Sequence, residues 1–282
     1  QRRLPKPDLD HHAAQAAQGF ADLGIGANDA VALFLRNDFA FFEASFAASL
    51  LGAYPVPVNW HYTPDEAGYV LRDCNAKVLI AHADLLPQLE GVIPEGCQLF
   101  VVETPPEIID AYGIDPAVAG VPTGLTNWQT WLAAQTPWQG TPAALRGTMI
   151  YTSGTTGRPK GVRKEPQTPQ MQALAQAMAT TLFDIRSDAP MRTVVTGPMY
   201  HTAPNGYAMA AVRYGGYVVL QPRFSTEGLL AEIEQHRISH IHMVPTMFVR
   251  LLKLPEEVKS KYDLSSLKFV VHAAAPCPPF VK

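Results

Sequence analysis

Short apolar runs of strand length alternate with stretches of helix length from one end of this chain to the other. That alternation restricts the fold more than any other feature, because strands joined by helical crossovers pair in parallel and bury both faces of their sheet. The pattern predicts a helix over Asp10–Leu23 closing at Gly24, a strand over Ala30–Leu35, and a helix capped by Asp38 that runs through Leu51 and stops at Gly52. Thr63, Pro64, Asp65 and Glu66 combine an N-cap, a first-turn proline and a capping-box glutamate, which marks another helix start. Strands follow at Val78–Ala81 and Leu99–Val102. Residues 103–146 break the rhythm with Pro, Gly and Thr; apart from a short helix at Trp128–Ala134 they read as a surface excursion or subdomain connection. The rhythm resumes with a strand over Thr148–Thr152, a glycine-rich loop, and a helix over Thr168–Phe183. Then come strand Thr193–Thr196, helix Gly206–Val212, strand Tyr217–Leu220, helix Ser225–Arg237, strand His240–Val244 and strand Lys268–Val271. A chain of 282 residues has room for one large or two closely packed α/β units, and it carries no repeat of fixed period.

Several function classes are excluded early. Hydrophobic residues at 47% and charged residues at 17% describe a chain that folds. A net charge of -3 with no Lys/Arg stripe gives nucleic acid nothing to bind. The most apolar stretch, Ala44–Val58, is interrupted by Ser45, Ser49, Gly52, Pro55 and Pro57 and falls short of the ~20 residues that span a bilayer. It reads as a buried helix running into a strand. No charged segment followed by an apolar one opens the sequence, so no secretion signal is expected. Cys74, Cys97 and Cys277 lack the paired spacing of a zinc or thioredoxin-like site, and buried, inert thiols in a reducing cytoplasm fit them best. Oligomeric state is not legible.

The segment Thr152-Ser-Gly-Thr-Thr-Gly-Arg-Pro-Lys-Gly161 has the chemistry of a polyphosphate cradle. Gly154, Gly157 and Gly161 let the backbone approach an anion, the hydroxyls of Thr152, Ser153, Thr155 and Thr156 add neutral hydrogen bonds, and Lys160 brings a point charge to phosphate oxygens. A Walker A loop, G-x-x-x-x-G-K-[ST], does not fit: Lys160 precedes Gly161, no Ser or Thr follows it, and Pro159 removes a backbone donor. The bland alternative is a polar hairpin without a ligand.

Tyr151 through Val162 resembles the core motif of the adenylate-forming superfamily, which contains acyl-CoA synthetases, firefly luciferase and nonribosomal peptide adenylation domains. The resemblance implies that the loop holds the β and γ phosphates of ATP while a substrate carboxylate attacks the α phosphate. Its implied fold is α/β, with mostly parallel sheets flanked by helices in a layered αβαβα arrangement. The implied subdomains are about 31–190, with the loop, and 1–30 plus 191–282.

Further segments carry the same resemblance. Pro198-Met-Tyr-His201 is similar to the family's Pro-x-[Phe/Tyr]-His motif, which implies that His201 sits beside the acyl carboxylate and that Ala203 and Tyr207 line the acyl pocket. Packing alone would also explain those two. Val244-Pro-Thr-Met-Phe248, Tyr262-Asp-Leu-Ser-Ser-Leu267 and Val271-His-Ala-Ala-Ala-Pro276 resemble later family segments. By that likeness Ala273, Ala274, Ala275 and Pro276 pack the adenine, while His272 replaces a usual small residue and its role stays open. His240 and His242 share a strand face, but no third zinc ligand is placed by sequence. The resemblance sets His242 near the acyl pocket; a satisfied buried histidine is the alternative.

Tyr200-His201 stands where amino-acid-activating relatives carry Phe-Asp, so the implied substrate is a carboxylic acid without an amino group, fatty or aryl, with ATP and coenzyme A as co-substrates. The resemblance runs from about Asp10 onward but covers only the front half of such an enzyme. The Tyr-Gly-x-Thr-Glu segment, the ribose-binding Asp, the Mg2+ ligand and the small C-terminal domain with its catalytic Lys would follow residue 282. The chain alone is therefore expected to be inactive or nearly so. Luciferase-like oxygenation, a carrier protein as acyl acceptor, and a non-catalytic nucleotide-binding protein stay open.

Overall fold

The structure is a computed structural model that describes residues 2–152, 158–273 and 275–281. It divides into two compact units, residues 1–168 and 169–282. In the first, β1 (Ala30–Phe34), β2 (Tyr54–Pro57), β3 (Ala76–His82) and β4 (Gln98–Val102) form a parallel sheet in the order β2-β1-β3-β4. Every residue of β1 is buried, as a central parallel strand covered on both faces requires. Helices α1 (Lys6–Asp22), α2 (Phe39–Leu50), α3 (Pro64–Asp73), α4 (Pro106–Tyr112) and α5 (Trp128–Ala133) complete this unit with a two-strand antiparallel ribbon, β5 (Tyr151–Thr152) and β6 (Lys160–Gly161).

The expected capping box is present: Glu66 N donates to Thr63 Oγ1 at 3.4 Å and Thr63 N to Glu66 Oε2 at 2.9 Å. Asp38 behaves differently from expectation. It occupies the N-cap position of α2, yet its carboxylate makes no capping bond. Instead it takes Arg2 Nη2 at 2.5 Å and lies 3.3 Å from His82 Nε2. Helix α1 begins at Lys6, before the expected Asp10, because Pro7 falls in the first turn, where the missing N–H has no helical partner to lose. The sequence grouping put residues 1–30 with the second sheet; α1 instead packs on α2 and α5 within the first unit, and the unit boundary falls at 168/169.

The stretch 103–146 is more than a surface excursion. It delivers Trp128, fully buried, into a cluster with Phe20, Phe100 and Trp131. Trp128 Nε1 donates to Glu43 Oε2 at 2.8 Å, and Glu43 Oε1 meets His12 Nδ1 at 2.8 Å. One buried carboxylate thereby joins α1, α2 and α5, and its satisfaction is what makes its burial tolerable.

In the second unit β7 (Arg192–Val195), β8 (Tyr217–Leu220), β9 (His240–Met243) and β10 (Phe269–His272) form a parallel sheet ordered β10-β9-β7-β8. Its helices are α6 (Pro169–Phe183), α7 (Thr202–Arg213), α8 (Thr226–His236), α9 (Pro245–Leu252) and α10 (Glu256–Lys259). Val194, Leu229, Ile233, Ile238, Ile241 and Met243 form a core against Met247, Phe248 and Leu251. Helix α7 starts a turn before the expected Gly206, since Pro204 lies in its first turn. The chain leaves β7 toward β8 on one side and returns to β9 on the other, so the order reverses between β7 and β9. Among the described residues no helix is long and apolar enough to cross a membrane.

Candidate functional site

In the first unit the ribbon sets Tyr151 opposite Gly161 and Thr152 opposite Lys160. The two ends of the glycine-rich segment are thereby brought together, and Thr152, Arg158 and Lys160 are exposed. Ser153, Gly154, Thr155, Thr156 and Gly157 lie outside the described residues. A Cβ on Gly161 would meet Met149 Cε at 2.6 Å and the Tyr151 ring at 2.7 Å, so this glycine is required by its strand neighbour. The Tyr151 hydroxyl donates to Asp73 Oδ2 at 2.5 Å, and its pKa is raised by burial and by that bond. Arg158 stacks over the Tyr69 ring at 5.1 Å, leaving Lys160 as the cation opposite Thr152.

In the second unit the sequence-expected residues gather at the carboxyl ends of neighbouring parallel strands, beside the β7/β9 reversal where open α/β sheets take their ligands. Val195 and Val271 both stand level with His242, so the segments after β7, β9 and β10 leave from one edge. The turn after β7 is built tightly. His201 N donates to the Pro198 carbonyl at 3.1 Å, the buried Asn205 donates Nδ2 to the Met199 carbonyl at 3.0 Å, and a Cβ on Gly197 would meet Pro204 Cγ at 2.9 Å. This turn presents His201, exposed, as the residue that precedes α7, with Ala203 in its first turn.

Tyr207, farther along α7, faces His242 with ring centroids 5.9 Å apart. Burial lowers the pKa of His242 and raises that of Tyr207, the latter helped by the charge of Asp184. His240 is engaged otherwise: Nδ1 lies 2.7 Å from Ser239 Oγ and Nε2 3.3 Å from Asp184 Oδ2. Beyond β10, Ala273 N donates to the Met243 carbonyl at 3.4 Å, Ala275 and Pro276 are exposed, and Ala274 lies outside the described residues. His272 meets the Phe248 ring edge to face at 6.3 Å.

The first sheet has a reversal too, between β1 and β3, but its crevice is filled from within. Arg36 Nη1 donates to both oxygens of Asp84 at 2.8 and 2.7 Å, Arg36 N to His82 Nδ1 at 3.1 Å, and Thr104 Oγ1 to Asp84 Oδ1 at 2.8 Å. Sequence reasoning missed this network, and it also missed Thr196, whose hydroxyl donates to the His242 carbonyl at 3.2 Å. None of these residues belongs to a local pattern; their partners lie more than forty residues away except for Asp84 with Thr104.

A family profile described as AMP-binding enzyme matches residues 6–282. The chain belongs to the AMP-binding enzyme family. Feruloyl-CoA synthase of an Amycolatopsis species is 29% identical over 276 residues, 98% of this chain and 50% of that protein. 4-Coumarate–CoA ligase-like 2 of Arabidopsis thaliana is 29% identical over 278 residues, 98% of this chain and 47% of that protein. The crystal structure of an anthranilate CoA ligase in complex with anthranoyl-AMP matches with a TM-score of 0.78 at 24% identity, over 98% of this chain and 51% of that one, a likeness of fold. The chain spans about half the length of the curated relatives it matches.

Proposed function

We propose that the complete protein containing this chain is an ATP-dependent acid–CoA ligase. A carboxylate oxygen attacks the α phosphorus of ATP, the bond to pyrophosphate breaks, and acyl-AMP forms. The thiol sulfur of coenzyme A, losing its proton, then attacks the acyl carbon and AMP leaves. The observation that carries this reading is the ribbon pairing of Thr152 with Lys160 at the ends of a glycine-rich segment, in a chain matched by the AMP-binding profile. Lys160 supplies charge to the phosphate oxygens, stabilising the negative charge that shifts onto the leaving pyrophosphate.

In this reading His201 orients the acid's carboxylate, Ala203, Tyr207 and His242 border its acyl portion, and Ala273, Ala275 and Pro276 offer their backbone to the adenine. The acid is fatty or aryl, and the likeness to feruloyl-CoA synthase and a 4-coumarate–CoA ligase-like protein favours the aryl side. The same likeness also favours coenzyme A over a carrier protein as acceptor. Chemistry of this kind uses Mg2+; among the described residues no three His, Cys, Asp or Glu side chains gather as ligands. A cytoplasmic setting is supported by three free cysteines, of which Cys74 has its thiol pushed up to about 12 by burial. The test is to incubate the complete protein with ATP, coenzyme A and a panel of aryl and fatty acids. Formation of AMP and a CoA thioester is expected with at least one acid, and ADP formation without a thioester would overturn the assignment.

A further inference from the structure

The ribbon that carries Thr152 and Lys160 is fastened on both of its sides to the same place. On the incoming side Tyr151 donates its hydroxyl to Asp73, the last residue of α3. On the outgoing side, two residues past Gly161, Arg163 donates Nη2 to the carbonyl of Cys74 at 3.1 Å and Nη1 to the carbonyl of Asn28 at 3.2 Å. Cys74 is the C-cap of α3, so both fastenings converge on one helix end. The chemistry suits that end: the last carbonyls of a helix lack intrahelical donors and carry the negative end of its dipole, and a forked guanidinium can serve two carbonyls at once. A third tie follows, from the Tyr54 hydroxyl to the Lys164 carbonyl at 2.7 Å.

A two-stranded ribbon is marginal by itself in water. Among the described residues this one pairs through two residues on each strand, so its direction is set from outside. Lysine adds a flexible four-carbon stem, and a reacting group must be held within about 0.5 Å of its working place to be effective.

We propose that Asp73 and Arg163 are positioning residues for the nucleotide, holding β5 and β6 on the end of α3 so that the Thr152 hydroxyl and the Lys160 ammonium address the same phosphate. This inference rests on the ATP reading given above. Tyr151→Phe removes one fastening at the cost of a single hydroxyl, Arg163→Met removes the other while keeping an unbranched stem, and Arg163→Lys keeps the charge without the fork.

The complete protein serves for the test. The expected result is a KM for ATP raised about tenfold in Tyr151→Phe, the effect of losing one hydrogen bond to a charged partner, and at least as much in Arg163→Met, which loses two to backbone carbonyls. The KM for the acid and the thermal unfolding midpoint stay near wild type, and Arg163→Lys falls between. Limited trypsin digestion gives a readout that needs no activity. Trypsin cuts after Lys160, which precedes Gly161, but not after Arg158, which precedes Pro159. Faster cleavage after Lys160 is expected in both disrupting variants. Unchanged KM for ATP with unchanged cleavage would overturn the proposal, as would KM values for ATP and acid rising together with a lowered unfolding midpoint. A wild type without acid-dependent ATP turnover removes the ATP reading and the positioning role with it; the cleavage rates then report the fastening alone, which tells the two failures apart.

Discussion

Tyr207 and His242 face each other 5.9 Å apart, with the hydroxyl of one and Nε2 of the other shut away from solvent and, among the described residues, unpartnered by any hydrogen bond. A buried polar atom without a partner costs about 1 to 3 kcal/mol. Deleting the hydroxyl removes that cost together with the atom. Tyr207→Phe is therefore expected to leave the urea unfolding midpoint unchanged or to raise stability by up to about 1 kcal/mol. A marked loss of stability in a urea titration would mean that the hydroxyl is satisfied in solution.

Asp38 makes a prediction about acid. Burial alone would raise its pKa, but the hydrogen bond and charge of His82, followed by those of Arg2, outweigh burial and bring it down from 3.8 to about 2. A carboxylate whose folded pKa lies below its unfolded value stabilises the fold above the unfolded value and loses that contribution as the pH falls toward the folded one. The contribution is on the order of 2 kcal/mol, present near neutrality and lost between about pH 4 and pH 2. In Asp38→Asn, urea midpoints measured across that range should fall less steeply than in the wild type; equal slopes would remove Asp38 from the acid limb.

Two glycines should respond oppositely to alanine. At Gly161 the new methyl meets the Tyr151 ring and Met149 Cε, and such overpacking costs about 1–3 kcal/mol. At Gly206, inside α7, nothing lies within 4 Å of the added carbon, so Gly206→Ala should stabilise by about 0.5–1 kcal/mol. Thermal unfolding of the two variants checks the signs, and a stabilised Gly161→Ala would contradict the packing described for the ribbon.

The sequence carried the parts of this fold that are local. Apolar strand runs and caps announced β1, β3, β4, β7, β8 and β9 to within a residue or two, and the Thr63–Glu66 box is present as read. Burial of Trp128 was not legible, because an aromatic residue in a Pro- and Gly-rich stretch has no period to show which way it faces. The roles of Asp38 and Arg163 were hidden for a related reason: their partners, Arg2, His82, Asn28 and Cys74, lie dozens of residues away, and only the folded chain brings them close. At the candidate site the motif residues were legible by type, whereas the supports beneath them, Asp73 under Tyr151 and Asn205 under the Met199 turn, were not.

A role for Lys160 in ATP-dependent activation of a carboxylic acid is read out by isotope exchange. The complete protein should move labelled pyrophosphate into ATP only when a suitable acid is present, and Lys160→Ala should slow that exchange by about tenfold or more, the loss of at least one charge-assisted contact to phosphate. Exchange that proceeds without any acid, or that is unchanged in Lys160→Ala, would contradict the account.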